Sequence, residues 1–320
     1  MKEERLEILK MLSEGKLNVD EAERLLDKLG GKERAPREKG EGFSFEVKQN
    51  LEGLGDFLRE VGSTVSSAVS EALGTPSSQS PEDLGYKELD KEEDGSFSLQ
   101  DGDELVLEVD RGGFSDKGGE IRVKITKKER ARVESDGRVK LWQMKKGEER
   151  KVLILWEDGD IDLEIPEGLL LSGLELKTSG GDILGSPPNT KSALLAHTMG
   201  GNIRLHGIQA AFRVKTMGGD IELSSLCPQR GSSSAKTMGG NVKLSLSKKS
   251  SVVINALTMA GDIEIEETLG DTQHELGYVR QKASLTMNEG SAKVEATTMG
   301  GSIIVEKDVS SSEEVSQQVS

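Results

Sequence analysis

The sequence predicts a mainly β protein: a β-solenoid of roughly 20-residue coils, preceded by a small α-helical hairpin and an amphipathic helix. Three observations predict this fold class. A six-residue phrase, Thr-Met-Gly-Gly-Asp-Ile or a close variant, recurs through the second half of the chain. Apolar and charged residues alternate around each copy. Two segments nearer the N-terminus instead place apolar residues at helical spacing.

Residues 1–31 are predicted to form the helical hairpin. Leucines spaced three and four apart give each helix one apolar face, and Gly15 ends the first helix as a C-cap. About 30 residues cannot build a core of their own. We therefore expect these faces to pack on a second copy or on another protein, through Leu9, Leu12, Leu25, Leu26 and Leu29.

Residues 32–96 are predicted to be a linker that contains an amphipathic helix at about 47–73. The apolar residues of this segment are spaced three and four apart, which is the pattern of a heptad seam. Two interpretations stay open, because the seam could lie on the β domain or could associate with itself. The predicted interaction residues of the seam are Leu51, Leu54, Leu58, Val61 and Val65.

Residues 97–305 are predicted to form the β-strand repeats. The repeated phrase starts at spacings of 20, 18, 21, 21 and 40 residues, and a fixed period of this kind is typical of stacked coils. Between Asp262 and Thr298 the phrase survives only as a degenerate copy, so we expect one coil to be looped out there. Residues 306–320 are predicted to be a disordered tail. The copies begin at Thr178, Thr198, Thr216, Thr237, Thr258 and Thr298.

Two columns of polar residues invite functional hypotheses. The threonines could form an exposed ladder, as in ice-binding solenoids, but their spacing from apolar positions favours an inward orientation with hydroxyls bonded at the corner. The second column could bind calcium, yet the oxygen ligands of a calcium repeat are missing. We expect its side chains to bond their own turns. This column comprises Asp182, Asn202, Asp220, Asn241 and Asp262.

A column of methionines directly follows the threonines. Strict alternation would point these side chains outward as a soft apolar binding stripe. The glycine corner could instead turn them into the core, and this second interpretation is slightly favoured. As candidate interaction residues they are Met199, Met217, Met238, Met259 and Met299.

An outward column of alternating charge offers a check on stacking. If successive coils stack in register, each charge should face its opposite on the next coil. The column runs Arg204, Glu222, Lys243 and Glu264.

The chain offers little chemistry for catalysis, and we expect neither an enzyme nor a cofactor or metal site. No pair of histidines has a metal-ligand spacing, and neither a nucleophile elbow nor a phosphate-binding loop occurs. The alternative function is a carbohydrate-active β-helix enzyme, although 3% aromatic residues supply few platforms for sugars. The net charge of −15 argues against nucleic-acid partners and against adsorption to anionic membranes.

The repeats, together with Gly159-Asp160-Ile161-Asp162-Leu163, resemble the adhesin-like β-strand-repeat family of bacterial proteins. The N-terminal Leu9-Lys10-Met11-Leu12-Ser13-Glu14-Gly15 is similar to the short helical-hairpin module that often precedes this domain. The combination resembles the YvlB-like proteins of Gram-positive bacteria. This resemblance implies a β-solenoid without catalytic residues, a module for oligomerisation and a role near the envelope-stress machinery.

The sequence as a whole therefore predicts a non-enzymatic scaffold or interaction protein. Its helices would assemble copies or dock a partner, and its solenoid would present a binding surface. The charged N-terminus is not a signal peptide and no apolar run approaches about 20 residues, so we expect a cytoplasmic protein without direct membrane insertion. We expect self-association or a protein partner, with a membrane protein among the candidates.

Overall fold

The structure is a computed structural model that describes residues 80–109, 118–276 and 281–308. These ranges contain twenty-two β-strands and one short 3-10 helix, so the prediction of a mainly β protein is confirmed. The predicted hairpin at 1–31, the predicted helix at 47–73 and residues 309–320 of the predicted tail lie outside the described residues. The tail is predicted to start at residue 306, but residues 306 and 307 belong to the strand Ile303–Lys307. Within the described ranges, no helix has the length and apolar character needed to cross a membrane.

The strands have the following bounds: β1 Lys87–Glu88, β2 Ser96–Phe97, β3 Glu104–Val109, β4 Gly118–Thr126, β5 Ala131–Ser135, β6 Val139–Lys146, β7 Glu149–Trp156, β8 Gly159–Pro166, β9 Gly173–Lys177, β10 Ile183–Gly185, β11 Ala193–His197, β12 Ile203–His206, β13 Ala211–Lys215, β14 Ile221–Leu226, β15 Gly231–Lys236, β16 Val242–Leu246, β17 Val252–Thr258, β18 Ile263–Ile265, β19 Asp271–Leu276, β20 Gln281–Met287, β21 Ala292–Thr298 and β22 Ile303–Lys307. The 3-10 helix η1 spans Glu267–Leu269.

Two sheets face each other across one apolar core. Sheet A has twelve strands in the order β1-β6-β7-β3-β9-β11-β13-β15-β21-β17-β20-β19. Sheet B has ten strands in the order β18-β22-β16-β14-β12-β10-β4-β8-β5-β2. Alternation places Ile203 and Leu205 of β12 in the core and leaves Arg204 outside, as the period-two pattern predicts.

Each repeat contributes one strand to each sheet, joined at the glycine corner. Neighbouring repeats pair in parallel and in register, as Val214 with Ala196 in sheet A and Ile221 with Ile203 in sheet B. Parallel strands lie about 4.8 Å apart, so the repeats stack as coils at that spacing. The expected stack of roughly 20-residue coils is therefore present in the described residues.

The coils do not stack in chain order. The last coil, β21–β22, lies between β15–β16 and β17–β18, and the first coil, β3–β4, lies between β7–β8 and β9–β10. The regular period favours coils that stack in the order of the chain. The first and the last coil do not follow that order.

The degenerate stretch explains the rearrangement near the C-terminal end. Residues 271–276 and 281–287 form no coil, as expected, but they belong to two further strands. Strands β19 and β20 form an antiparallel hairpin that extends sheet A beyond β17. The chain then returns to insert β21 between β15 and β17, which accounts for the 40-residue spacing of the phrase.

The insertion also corrects the predicted charge column. Arg204 and Glu222 are register partners and their charged atoms lie 3.7 Å apart, as expected. Lys243 and Glu264 are not neighbours, because Ile304 of the inserted coil lies between them. Lys243 instead pairs with Glu306 at 3.0 Å.

Candidate binding surface at the glycine corner

The threonine that opens each corner is buried, and its hydroxyl donates to a glycine carbonyl of the neighbouring coil. The Thr216 hydroxyl donates to the carbonyl of Gly201 on the neighbouring coil at 2.8 Å and accepts from the amide of Gly219 at 3.2 Å. Thr198 repeats both bonds one coil earlier, with Gly181 and with its own corner. The predicted inward orientation is confirmed, and an exposed threonine ladder is wrong.

The second glycine of each corner is required by the packing of the backbone. A Cβ on Gly219 would lie 2.0 Å from the carbonyl oxygen of Gly201, and one on Gly240 would lie 2.1 Å from that of Gly219. No side chain fits at such a distance. The threonine hydroxyl holds this close approach in place, because it bonds the same carbonyl of the neighbouring coil.

The first glycine of each corner has no such requirement. A Cβ on Gly218 would meet its nearest atom at 3.9 Å, an ordinary contact, and its φ is not positive. One coil carries Ala260 at this position. The column is exposed throughout, so glycine here keeps the outer surface flat. Its members are Gly180, Gly200, Gly218, Gly239, Ala260 and Gly300.

The five methionines lie beside this exposed column and are half-buried, outside the apolar core. The slightly favoured interpretation, that the corner turns them into the core, is therefore wrong. Each methionine is the first residue of the bend, and its side chain is not part of the buried core. Their role in binding remains a prediction.

The inserted coil brings all five methionines into one row. In space they run Met199, Met217, Met238, Met299 and Met259, because β21–β22 precedes β17–β18 in the stack. Backbone bonds link the corners directly, as from the Met217 amide to the Met199 carbonyl at 3.1 Å. Four spacings of about 4.8 Å make the row about 19 Å long. We call this row, with its exposed first-position residues, the methionine edge.

The Asx column flanks the methionine edge on the side of sheet B. Its side chains bond the next coil rather than their own turns, which corrects the prediction. The Asp182 carboxylate accepts the Asn202 amide at 2.7 Å, and the Asn202 side-chain oxygen accepts the Asp220 amide at 2.9 Å. Ser302 of the inserted coil takes the place after Asn241, whose side-chain oxygen accepts its amide at 2.8 Å. This set, from Asp182 to Asp262 with Ser302, is the Asx lane.

A row of basic residues flanks the methionine edge on the side of sheet A. These residues precede the corner threonines and are register partners on successive strands. Glu175 at 2.9 Å and Glu295 at 4.0 Å pair with two of the lysines from the same sheet. This basic lane comprises Lys177, His197, Lys215 and Lys236.

The structure thus gathers four sequence columns into one surface, namely the methionines, the first-position residues, the Asx lane and the basic lane. The other predicted interaction residues lie outside the described ranges. The first-position glycines and the basic lane were not among the predicted interaction residues. Both were visible as columns, since a glycine that an alanine can replace has no steric reason to recur. The residues outside the described ranges are Leu9, Leu12, Leu25, Leu26, Leu29, Leu51, Leu54, Leu58, Val61 and Val65.

The part of the chain that the structure describes brings together no set of metal ligands. No group of three or more His, Cys, Asp or Glu side chains there could hold a metal ion. His206 contacts the hydroxyl of Ser224 at 3.0 Å on the surface of sheet B.

Comparison with known proteins gives two family matches. A model described as Toastrack DUF4097 matches residues 87–306, and one described as a SHOCT-like domain matches residues 3–34. A search among curated proteins found no match.

A comparison with solved structures finds two that are similar to this chain. One is a candidate cell adhesion protein from Clostridium sporogenes ATCC 15579, with 9% identity and a TM-score of 0.39 over 69% of this chain and 97% of that one. The other is a candidate adhesin from Bacteroides fragilis NCTC 9343, with 12% identity and a TM-score of 0.29 over 66% and 94%.

Proposed function

The chain belongs to the Toastrack family DUF4097, and from this premise we propose that it is a non-enzymatic interaction or scaffold protein that binds through its methionine edge. The family match confirms the resemblance to adhesin-like β-strand repeats. The stack of coils supplies a rigid frame, and the corners present one surface at a fixed spacing.

The observation that carries the proposal is the contrast between the two glycines of each corner. The second glycine is required by a backbone contact of about 2 Å, whereas the first could carry a Cβ without a clash. Glycine at an unconstrained position costs conformational entropy and so lowers stability. The loss of stability is offset if another molecule must approach the backbone closely at this surface. The exposed first-position column, which lies beside half-buried thioethers, permits such an approach.

The N-terminal segment belongs to the same proposal as the assembly device. Its similarity to a SHOCT-like domain at residues 3–34 supports a separate module there. We propose that this module and the apolar seam at 47–73 join copies or dock a protein partner. A cytoplasmic location, a membrane-protein partner and a link to envelope stress complete the proposal.

Photo-crosslinking at methionine tests the binding surface directly. The full chain is made with photo-methionine in cells that naturally contain it, irradiated, and digested for mass spectrometry. We expect crosslinks to concentrate at the five edge methionines. Met144 on β6 is equally half-buried but lies away from the edge, so it serves as the internal control.

A double variant, Met217→Gln with Met238→Gln, should remove most crosslinks from the remaining edge methionines, because it breaks the apolar row at its middle. The matched control is Met144→Gln. Equal crosslink yields at Met144 and at the edge, or a double variant without effect, would overturn the proposed surface.

A further inference from the structure

We propose that the methionine edge binds the methionine edge of a second copy, with a two-fold axis parallel to the stack of coils. This inference rests on the proposed function, since it names the partner of the same surface. The two lanes that flank the edge differ in charge and lie in fixed register, so they restrict how two copies can face each other.

The four coils from Ser179 to Met238 carry one member of each lane, whereas the coils of Met299 and Met259 carry Thr297 and Leu257 in place of a basic residue. In the coil that contains Met217, Lys215 lies on the sheet A side and Asp220 on the sheet B side. The coil of Ser179 carries Lys177 and Asp182 in the same way. The coils of Met199 and Met238 carry a basic residue opposite an asparagine, namely His197 with Asn202 and Lys236 with Asn241.

Symmetry then decides how two edges can face each other. A two-fold axis along the stack brings the basic lane of one copy against the Asx lane of the other, at the same height. A two-fold axis perpendicular to the stack brings basic lane against basic lane and Asx lane against Asx lane. Opposite charges attract across an interface and like charges repel, so only the first arrangement is self-complementary.

In that arrangement, equivalent methionines meet at the axis and the lanes pair over the four coils from Ser179 to Met238. Lys215 of each copy faces Asp220 of the other, and Lys177 faces Asp182. The coil between them brings His197, and the coil beyond Lys215 brings Lys236, against asparagine side chains, which accept hydrogen bonds without adding charge. The partner therefore matches in spacing as well as in sign, because both edges are built from the same repeat.

The size of the edge sets the strength of the contact. A row about 19 Å long and one corner wide falls below the ~1,200 Å² that stable interfaces bury. We therefore expect a weak and reversible dimer. Tethering of two copies elsewhere would raise its occupancy, because the second contact then becomes intramolecular.

Cysteine crosslinking of the full chain tests the arrangement. Cys227→Ser removes the native thiol, and Met217→Cys then places a single thiol at the proposed axis, where a short bismaleimide can join only two separate copies. We expect a crosslinked dimer for this variant and at least fivefold less for Lys248→Cys. Lys248 is exposed in the turn after β16, away from the edge, and labelling with a monofunctional maleimide verifies that both thiols react equally.

Charge exchange tests the axis itself. On the Met217→Cys background, Lys215→Asp or Asp220→Lys alone should reduce dimer yield severalfold, because each creates two like-charge contacts across the axis. The double variant should restore it. Absence of a crosslink at position 217, or a double variant as weak as the single ones, overturns the self-partner. If photo-crosslinks still concentrate at the edge in that case, the proposed binding surface stands and its partner is a different protein.

Discussion

Gly218 and Gly219 are adjacent in the chain, yet only one of them has room for a methyl group. The nearest atom to a Cβ lies at 3.9 Å for Gly218 and at 2.0 Å for Gly219. Their sequence context is the same in every repeat. The distinction comes from the neighbouring coil, which approaches the second glycine and leaves the first exposed.

Alanine substitution should separate these two glycines. Gly219→Ala should lower the free energy of unfolding by more than about 3 kcal/mol, because the coils must move apart. Gly218→Ala should leave it unchanged or raise it by about 0.4–1 kcal/mol, since alanine restricts the unfolded chain. Chemical denaturation of the full chain measures both. A loss of more than about 1 kcal/mol for Gly218→Ala would show that the first position is constrained after all.

The substitution Gly218→Ala should weaken binding, although it leaves the free energy of unfolding unchanged or raises it. A Cβ at Gly218 would keep a bound molecule further from the backbone of the methionine edge. The crosslink yield at Met217 should therefore fall, while the free energy of unfolding does not. This opposition separates a residue used for binding from one used for folding.

At the residue scale, the sequence predicted the orientation of a side chain better than its hydrogen-bond partners. The inward threonines followed from their distance to apolar positions. The partners of the Asx side chains did not follow, because an Asx turn and a bond to the next coil require the same residue type. Only the stacking distance brings the Asn202 amide within 2.7 Å of Asp182.

Within the Asx lane, carboxylates alternate with amides over four coils. Asn202 lies between Asp182 and Asp220, donating its side-chain amide to the first at 3.3 Å and accepting the backbone amide of the second at 2.9 Å. The alternation keeps like charges two coils apart, about 9.6 Å. Each asparagine therefore separates the carboxylates on either side of it and weakens the repulsion between them.

Replacing Asn202 with Asp should destabilise the stack by about 1 kcal/mol through repulsion from both neighbours. Salt screens such repulsion, so the loss should shrink at high ionic strength. Asn202→Ser is the matched control, because Ser302 occupies this lane naturally. Thermal unfolding at low and high salt measures the effect, and an equal salt response in both variants would contradict it.

Beyond β18, a carboxylate at Glu266 ties the end of sheet B to β22. Hydrogen bonds from the Thr268 hydroxyl and from the Lys307 amide, the latter at 2.8 Å, hold the pKa of Glu266 below its ordinary value. A lowered pKa means that the ionised form stabilises the fold. This contribution is present above the ordinary pKa and is lost as the pH falls through the folded-state value.

Glu266→Gln should therefore lower the melting temperature near neutral pH. The difference from the unmodified chain should close as the pH falls below the ordinary pKa of a glutamate. Glu267→Gln removes the same charge from the next, exposed residue and serves as the control. A difference that persists unchanged into acid would rule out the ionised carboxylate as its source.

At the element scale, the strands and their faces were predictable and their order was not. Period-two alternation specifies which residues enter the core whatever coil lies next to them. Every corner bears the same phrase, so each coil can pair with any other, and the repeat carries no information on neighbours. The degenerate stretch between Asp262 and Thr298 was the one sign of a break.

Because the coils are interchangeable, the whole molecule should tolerate loss of its last one. A chain ending at Gly290 lacks β21 and β22, and we expect β17–β18 to dock directly on β15–β16. Lys243 and Glu264, now separated by Ile304, would become neighbours of opposite charge. The opposite charges of Lys243 and Glu264 favour direct docking of β17–β18 on β15–β16.

A cysteine pair at these two positions, on the Cys227→Ser background, measures the closure. A disulfide should form readily in the shortened chain, where the strands are about 4.8 Å apart, and poorly in the full chain, where they are about 9.6 Å apart. A chain ending at residue 308 retains every described strand and is the control. Failure to form the disulfide, with rapid proteolysis of β17 to β20, would mean that the last coil is indispensable.

The position of the last coil also governs how the protein responds to force. A solenoid pulled from its final coil can peel open one strand at a time. Here β22 is paired on both edges, with β16 on one side and β18 on the other. Tension applied at the C-terminal side must therefore slide β22 past two neighbours at once, so that many hydrogen bonds break together instead of in succession. The fold should resist extension from that side as a shear joint does.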